Sequence, residues 1–291
     1  AAEALSDKVQ NSLIDVGSLM QWVRSLDEVL VSEAATHCVM CCDGSATMGQ
    51  EGCIDASAGL VVLPMRGETP LVDAACCLEV RDIGGFVDTP FDSELIAALA
   101  ALTVASLVVA PHGTIETLLE ADPWTISPSP SSPLASSEPL PVEILSDSRA
   151  VLRALRKRDK GRSATDDSTL TSSSMSQTRR ILLELCMSSV APSPEPSSSS
   201  WSSSSLSSSS PAAAVDLKWV HGHPERRYGG TYVCTDEWSM SEVLVWNADN
   251  LASGNLRCEG IFPVHTQSLS GSSLLQAATR MHALRMRGKL G

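Results

Sequence analysis

The stretch LIAALAALTVASLVVA, Leu95–Ala110, constrains this chain more than any other. It carries no charge and starts directly after Asp92, Ser93 and Glu94. Leu95, Leu99 and Leu102 recur at helical spacing, and Asp92 or Ser93 can cap the first turn, so a helix is expected over Asp92–Ala110. It is too short and too rich in alanine to span a bilayer, which leaves a helix buried in protein. The material to bury it is present, since 43% of the 291 residues are hydrophobic. Only 4% are aromatic, so the core must rest on Leu, Val, Ala, Met and Cys. A collagen, a coiled coil and a chain disordered from end to end are excluded.

Three segments cannot contribute to that core. SPSPSSPLASSEP (127–139) and APSPEPSSSSWSSSSLSSSSP (191–211) are Ser/Pro-rich, and DKGRSATDDSTLTSSSMSQ (159–177) is a weaker case. Too little apolar surface is available in them to offset the entropy of ordering, so they read as surface insertions. What remains alternates between strand and helix patterns. Thr36–Asp43, Gly59–Met65, Leu71–Val80, Pro141–Ser146 and Val215–Val220 are apolar runs bounded by turn or acidic residues, and read as five strands. Helices are expected at Arg149–Arg158, Arg179–Val190 and Ser241–Ser253, and residues 1–35 read as an amphipathic helical flank. Three consecutive strands imply an antiparallel meander, and the later strand–helix–strand steps imply parallel pairing. The fold class is therefore α/β, a mixed five-stranded sheet with helices on both faces. The domain is expected to run over 36–255, with 256–291 as a basic tail carrying Arg280, Arg285, Arg287 and Lys289.

The net charge of −13 hides a strong asymmetry. Residues 1–147 carry a net −18, whereas 148–291 carry +5, with seven basic residues between Arg149 and Arg162. A local patch of this kind is what a phosphate backbone feels, so nucleic acid stays open as a partner. The nine cysteines are odd in number, sit largely in apolar runs and lack zinc-type spacing. They read as reduced, buried thiols of an intracellular protein. The opening AAEALSDKVQ has neither the basic region nor the apolar core of a signal peptide, and it lacks an initiating Met, as an excised or processed piece would. No membrane partner is expected.

Four acids stand out by position: Asp43 at the end of the first strand, Glu94 at the opening of the long helix, Asp147 after the fourth strand and Asp249 near the last helix. If the first and fourth strands are neighbours, Asp43 and Asp147 lie side by side and Glu94 can join them. Clustered carboxylates repel unless a cation neutralises them, and an all-oxygen set favours Mg²⁺ or Mn²⁺ over zinc. Against this stands the plain reading of each acid as a solvated strand end, a helix cap or a wet helix face.

Taken in order, CCDGSATMGQEGCIDASAGLVVLP, DSELIAALAAL, EILSDSRAVLRAL, LKWVHGHPE and WNADNLAS resemble ribonuclease H, motif after motif, over roughly Thr36–Ser253. DGSA, SDSRAVLRAL and AD followed by LA are similar to the ribonuclease H domains attached to retroelement reverse transcriptases. Each motif alone is weak; five in the family's order are a strong signal.

The resemblance implies a ribonuclease H-like fold and two-metal hydrolysis of the RNA strand of RNA–DNA hybrids, with two Mg²⁺ ions for which Mn²⁺ can substitute. It makes Asp43, Glu94, Asp147 and Asp249 the metal-binding acids and His223 a proton-transfer or product-release residue. It makes Gly44 and Ser45 contacts to the RNA strand, and Arg149, Arg153, Arg156 and Lys157 part of a basic helix gripping the hybrid. A reverse transcriptase domain of the same polyprotein is an implied partner. Where the family has about ten residues between histidine and last aspartate, this chain has 25 between His223 and Asp249, an extension that costs little in closure entropy. That spacing leaves His221 as a competitor to His223. Two other classes stay open: a non-catalytic ribonuclease H-like subunit of a ribonucleoprotein, and a DNA-cleaving nuclease of the same fold.

Overall fold

A computed structural model describes residues 16–48, 54–109, 140–159, 177–190, 215–227, 238–255 and 258–286. The three Ser/Pro-rich segments lie outside the described residues, apart from Asp159 and Gln177, which end one helix and open another.

The sheet is mixed, and its central strand is β1 (His37–Met48). On one side β1 pairs antiparallel with β2 (Ile54–Arg66), and β2 pairs antiparallel with β4 (Ala75–Arg81). The two-residue β3 (Thr69–Pro70) adds to β2 beside the turn at Gly67. On the other side β1 pairs parallel with β5 (Val142–Ser146), and β5 parallel with β6 (Val215–Trp219). The expected meander, the parallel extension and the adjacency of first and fourth strands in the reading are all present. A further strand, β7 (Pro263–Ser270), adds parallel to β4, so the order is β6-β5-β1-β2-β4-β7 rather than five strands.

Strand alternation divides the core into two layers. In β1, Cys38, Met40 and Cys42 face one layer and Cys41 the other. The first layer is the thicker. At its centre lies α2 (Pro90–Val109), in which Leu95, Ile96, Leu99, Ala101 and Val104 are fully buried. This is a described helix long and apolar enough to cross a membrane, but it is sealed inside the protein. A helix without a polar side needs cover all round. The sheet supplies it on one side, and α1 (Gly17–Ser32), α3 (Arg149–Asp159), α4 (Gln177–Val190) and α7 (Gly271–Met286) supply it on the others. The opposite layer is one helix deep: α6 (Met240–Ala252) lies across β1 and β2 over Val61, Leu63 and Cys77.

Two stretches read from sequence as appendages are part of this packing. In α1, Leu19, Met20, Trp22, Val23 and Leu26 are buried against the same cluster as α2. The stretch 256–291, read as a basic tail, supplies both β7 and α7. In α7, Leu274, Leu275, Ala278, Met281 and Leu284 are buried, and this 3–4 spacing is the face that docks. The arginines mask that pattern in composition, and PVHTQSLS is a polar edge strand with no run of apolar residues to announce it.

Leu26→Ala tests whether α1 shares the core. Removing a fully buried leucine costs about 2–5 kcal/mol, so urea unfolding is expected to show a single transition weakened by that amount. A loss well below ~1 kcal/mol would make α1 a separable flank.

Candidate active site

Asp43 lies within β1 and not at its end, because the β1–β2 ladder continues through Gly44↔Ala58 to Met48↔Ile54. The strand can continue past a buried acid because the next residue is glycine. A Cβ on Gly44 would stand 2.3 Å from the Ser93 carbonyl carbon and 2.4 Å from the Glu94 nitrogen. The opening turns of α2 therefore rest directly on β1, and Glu94 is delivered beside Asp43. Asp92, two residues earlier, fixes that end of the helix. Its carboxylate accepts the Thr89 amide at 2.8 Å and the Asp88 amide at 3.1 Å, and pairs with Arg179 of α4 at 2.6 Å.

Asp147 follows the last residue of β5. Parallel pairing with β1 brings it level with Asp43, since Cys41 lies opposite Leu145. Its carbonyl accepts the Trp219 indole N–H at 3.0 Å, and the Val220 amide bonds Ser146 at 3.1 Å. The chain leaving β6 is thereby laid over Asp147. Oxygen atoms of Asp43, Glu94 and Asp147 all lie within 4.8 Å of one another.

Asp249 enters from the opposite layer. Gly59 is the ladder partner of Asp43, and a Cβ there would meet the Ala248 carbonyl of α6 at 2.2 Å. Helix and strand make backbone contact at that point, so the residue after Ala248 reaches the cluster. The start of α6 is set by the Ser239 amide donating to Glu242 at 2.8 Å.

The site is short of positive charge. Burial, then Glu94, Asp147 and Asp249, push the Asp43 carboxyl up to about 10. Burial and Asp147 raise Glu94 to about 8, against hydrogen bonds from Asp43 and the Gly44 amide. Asp147 and Asp249 are also raised, first by burial, with His223 opposing the rise in both. One oxygen of Glu94, Oε2, is buried without a partner. Four acids that hold protons this tightly, one with an orphaned buried oxygen, are a donor set suited to a hard divalent cation.

Of the two candidate histidines, His223 faces the acids. Its Nδ1 is 3.9 Å from Asp249 and 3.4 Å from Glu225, and its backbone is held in the left-handed region at φ 51°. His221 instead stacks edge-on against Trp219, with ring centres 4.3 Å apart. Glu225 is a site carboxylate that the sequence reading missed. It sits on the one-turn helix α5 (Pro224–Arg227), its Oε2 is buried without a partner, and it raises Asp249. Trp219 is half-buried and braces Asp147 through its indole N–H. The motif HPE following a strand was the only available signal for Glu225; nothing in LKWV marked Trp219 as a site support.

The other predicted contacts scatter. Arg149 lies over the Trp219 ring at 3.8 Å, and its backbone amide donates to the Asp147 carbonyl at 3.1 Å. Arg153 is exposed on α3, Arg156 is tied to the Leu217 carbonyl at 2.6 Å, and the Lys157 side chain lies outside the described residues. The Gly44 amide donates to Asp43 at 2.8 Å, while Ser45 lines a polar groove with Thr47, Ser57 and Arg81 beyond the acids.

These pKa directions set a pH dependence. A carboxylate raised in the folded state binds more protons there than when unfolded, so stability falls as pH rises from the unfolded pKa, about 4, through the folded one. Without divalent cations the melting temperature is expected to drop as pH rises from about 4 towards about 10, through the Glu94 value of about 8 and the Asp43 value of about 10. Mg²⁺ or Mn²⁺ at pH 8 is expected to restore it, and Asp43→Asn to raise the cation-free value and blunt the rescue. Thermal melts showing no cation response would rule out a cation-binding cluster.

Three solved structures are similar to this chain at low identity. One is the crystal structure of LC9-RNase H1, a type 1 RNase H with the type 2 active-site motif, at 14% identity over 76% of this chain and 74% of that one, TM-score 0.38. The others are foamy viral protease-reverse transcriptase with dsDNA (13%, 76% and 94%, TM-score 0.35) and native prototype foamy virus protease-reverse transcriptase (15%, 76% and 21%, TM-score 0.37). No protein-family model matches the sequence, and no curated protein does.

Proposed function

We propose that this chain is an endoribonuclease that hydrolyses the RNA strand of RNA–DNA hybrids, of retroelement origin and intracellular. The observation that carries this reading is the convergence of Asp43, Glu94, Asp147 and Asp249 from four separate elements into one buried cluster with too little positive charge to balance it. A scaffold gains nothing from such repulsion, whereas a metal-dependent hydrolase requires it.

The residues present fit divalent cations: Asp43, central to the cluster, with Glu94, Asp147 and Asp249 around it. Bound Mg²⁺ or Mn²⁺ supplies a nucleophilic water at neutral pH and charge neutralisation at the leaving oxygen. The chain's own groups do the rest. Gly44 and Gly59 hold α2 and α6 so close to the strands that the acids cannot drift apart. His223, 40% exposed in its side chain, stands at the rim and can carry a proton between the site and solvent at its ring nitrogens. Arg149, two residues after Asp147, and Arg153, one helical turn further along α3, offer phosphate contacts. Discrimination for RNA rests on the 2′-hydroxyl, and the backbone around Ser45, which lines the adjacent groove, is the expected contact to the RNA strand. A reverse transcriptase domain of the same polyprotein is the partner that would supply hybrid.

Cleavage of end-labelled RNA–DNA hybrid in Mg²⁺, with RNA–RNA and DNA–DNA duplexes in parallel, tests the reading. Cutting of the hybrid's RNA strand alone is expected, lost in Asp43→Asn and reduced about 10²-fold or more in His223→Ala. No cutting by folded protein in Mg²⁺ or Mn²⁺ would favour a non-catalytic subunit of a ribonucleoprotein, and cutting of DNA duplex would favour a DNA nuclease. A second check uses salt: Arg149→Ala is expected to weaken hybrid binding and to lower the slope of log affinity against log salt by about one ion.

A further inference from the structure

The seven described cysteines are free, and one pair stands apart from the rest. Cys77, in the middle of β4, and Cys258, in the segment between α6 and β7, place their sulfurs 3.8 Å apart. Cys77 is fully buried and Cys258 half-buried. We infer that Cys77 and Cys258 form a modification site: a dithiol that closes to a disulfide on exposure to small disulfide oxidants, and so clamps the chain at Cys258 to β4.

The geometry carries this. A disulfide needs sulfurs about 2 Å apart, so closure asks for a shift under about 2 Å. The two sides of the pair differ in freedom. Cys77 is held by its ladders to β2 and β7, opposite Val61 and Thr266. Cys258 lies outside any helix or strand and is held by no ladder. The partly exposed sulfur is also the better nucleophile, because the contact between the two thiols lowers the Cys258 pKa, while that contact and then burial raise Cys77. The reaction balances with a low-molecular-weight disulfide as oxidant. The Cys258 thiolate attacks one sulfur and expels the first small thiolate. The Cys77 sulfur then attacks Cys258, loses its proton and expels the second. Two protein thiols and one small disulfide become one protein disulfide and two small thiols.

The clamp has a short physical path to the acids. Glu259, next to Cys258, exchanges two hydrogen bonds with the buried Asn247 side chain: its amide donates at 2.8 Å and its carbonyl accepts at 2.8 Å. Asn247 is two residues from Asp249 on α6. Any effect on cleavage rests on the function proposed above, but formation of the bond does not.

Full-length protein treated with oxidised glutathione, digested without reduction and analysed by mass spectrometry tests the site. The expected result is a Cys77–Cys258 linked peptide, removed by dithiothreitol and absent in Cys258→Ser, and a melting temperature several degrees higher in oxidised wild type but not in oxidised Cys258→Ser. Persistence of Cys258 as a free or glutathionylated thiol at saturating oxidant would overturn the inference. So would a linked peptide with no change in melting temperature, since the clamp would then restrain nothing. Cleavage assayed on the same samples keeps the two questions separate. Failure of the reduced protein to cut hybrid counts against the proposed function, and the linked peptide is read independently of it.

Discussion

Mutual repulsion among buried carboxylates is the interaction that the rest of this structure has to withstand. Asp43, Glu94 and Asp147 bring oxygens within 4.8 Å of one another, and Asp249 adds a fourth charge from the other face. Left to themselves, such groups would separate or rotate into solvent. They are instead carried on β1, β5, α2 and α6, four elements anchored by the core. The contacts nearest the charges are made backbone to backbone over Gly44 and Gly59, where no side chain is available to yield. Protons relieve the repulsion in the absence of metal, and the all-oxygen donor set fits a divalent cation.

Rigidity of that kind needs a deep core behind it. The layer around α2 provides it: an all-apolar helix walled in by the sheet and by α1, α3, α4 and α7. The Asp92–Arg179 pair ties the mouth of α2 to α4, so the helix that carries Glu94 is held at its charged end as well as along its length. That ion pair is buried on the aspartate side and fully hydrogen-bonded, the condition under which such a pair stabilises rather than costs. The opposite layer is only α6 deep. There the fixing of Asp249 depends on Gly59, on the Ser239–Glu242 helix start and on the Asn247–Glu259 bonds, which is why the thiol pair beside Glu259 sits at a consequential place.

Much of this was legible in the sequence. Apolar runs of strand length and one helix with no polar side were enough for a mixed α/β sheet, since local hydrophobicity and turn chemistry act through near neighbours. The order of the motifs singled out four acids, though Asp43 lies within its strand and not at its end. The elements that escaped notice were those whose burial depends on distant partners. PVHTQSLS becomes a strand only because β4 offers it an open edge, and the arginine-bearing segment 271–286 becomes a core helix only because α4 and β7 meet its apolar face. The choice between His221 and His223 likewise rested on a turn: one ring goes to Trp219, the other to Asp249, and no property of the residues themselves separates them. Glu225 joined the site through the same turn.

The sequence by itself determined which residues carry charge, which segments must be buried and the order in which strands and helices follow, because these are fixed by side-chain chemistry and by spacing along the chain. Only the tertiary structure decided that acids as far apart as Asp43 and Asp249 share one site, that Arg156 is spent on a backbone carbonyl while Arg149 lies over Trp219, and that Cys77 meets Cys258. Those outcomes are set by strand register and by how closely one backbone can approach another, quantities that exist only once the chain has closed on itself.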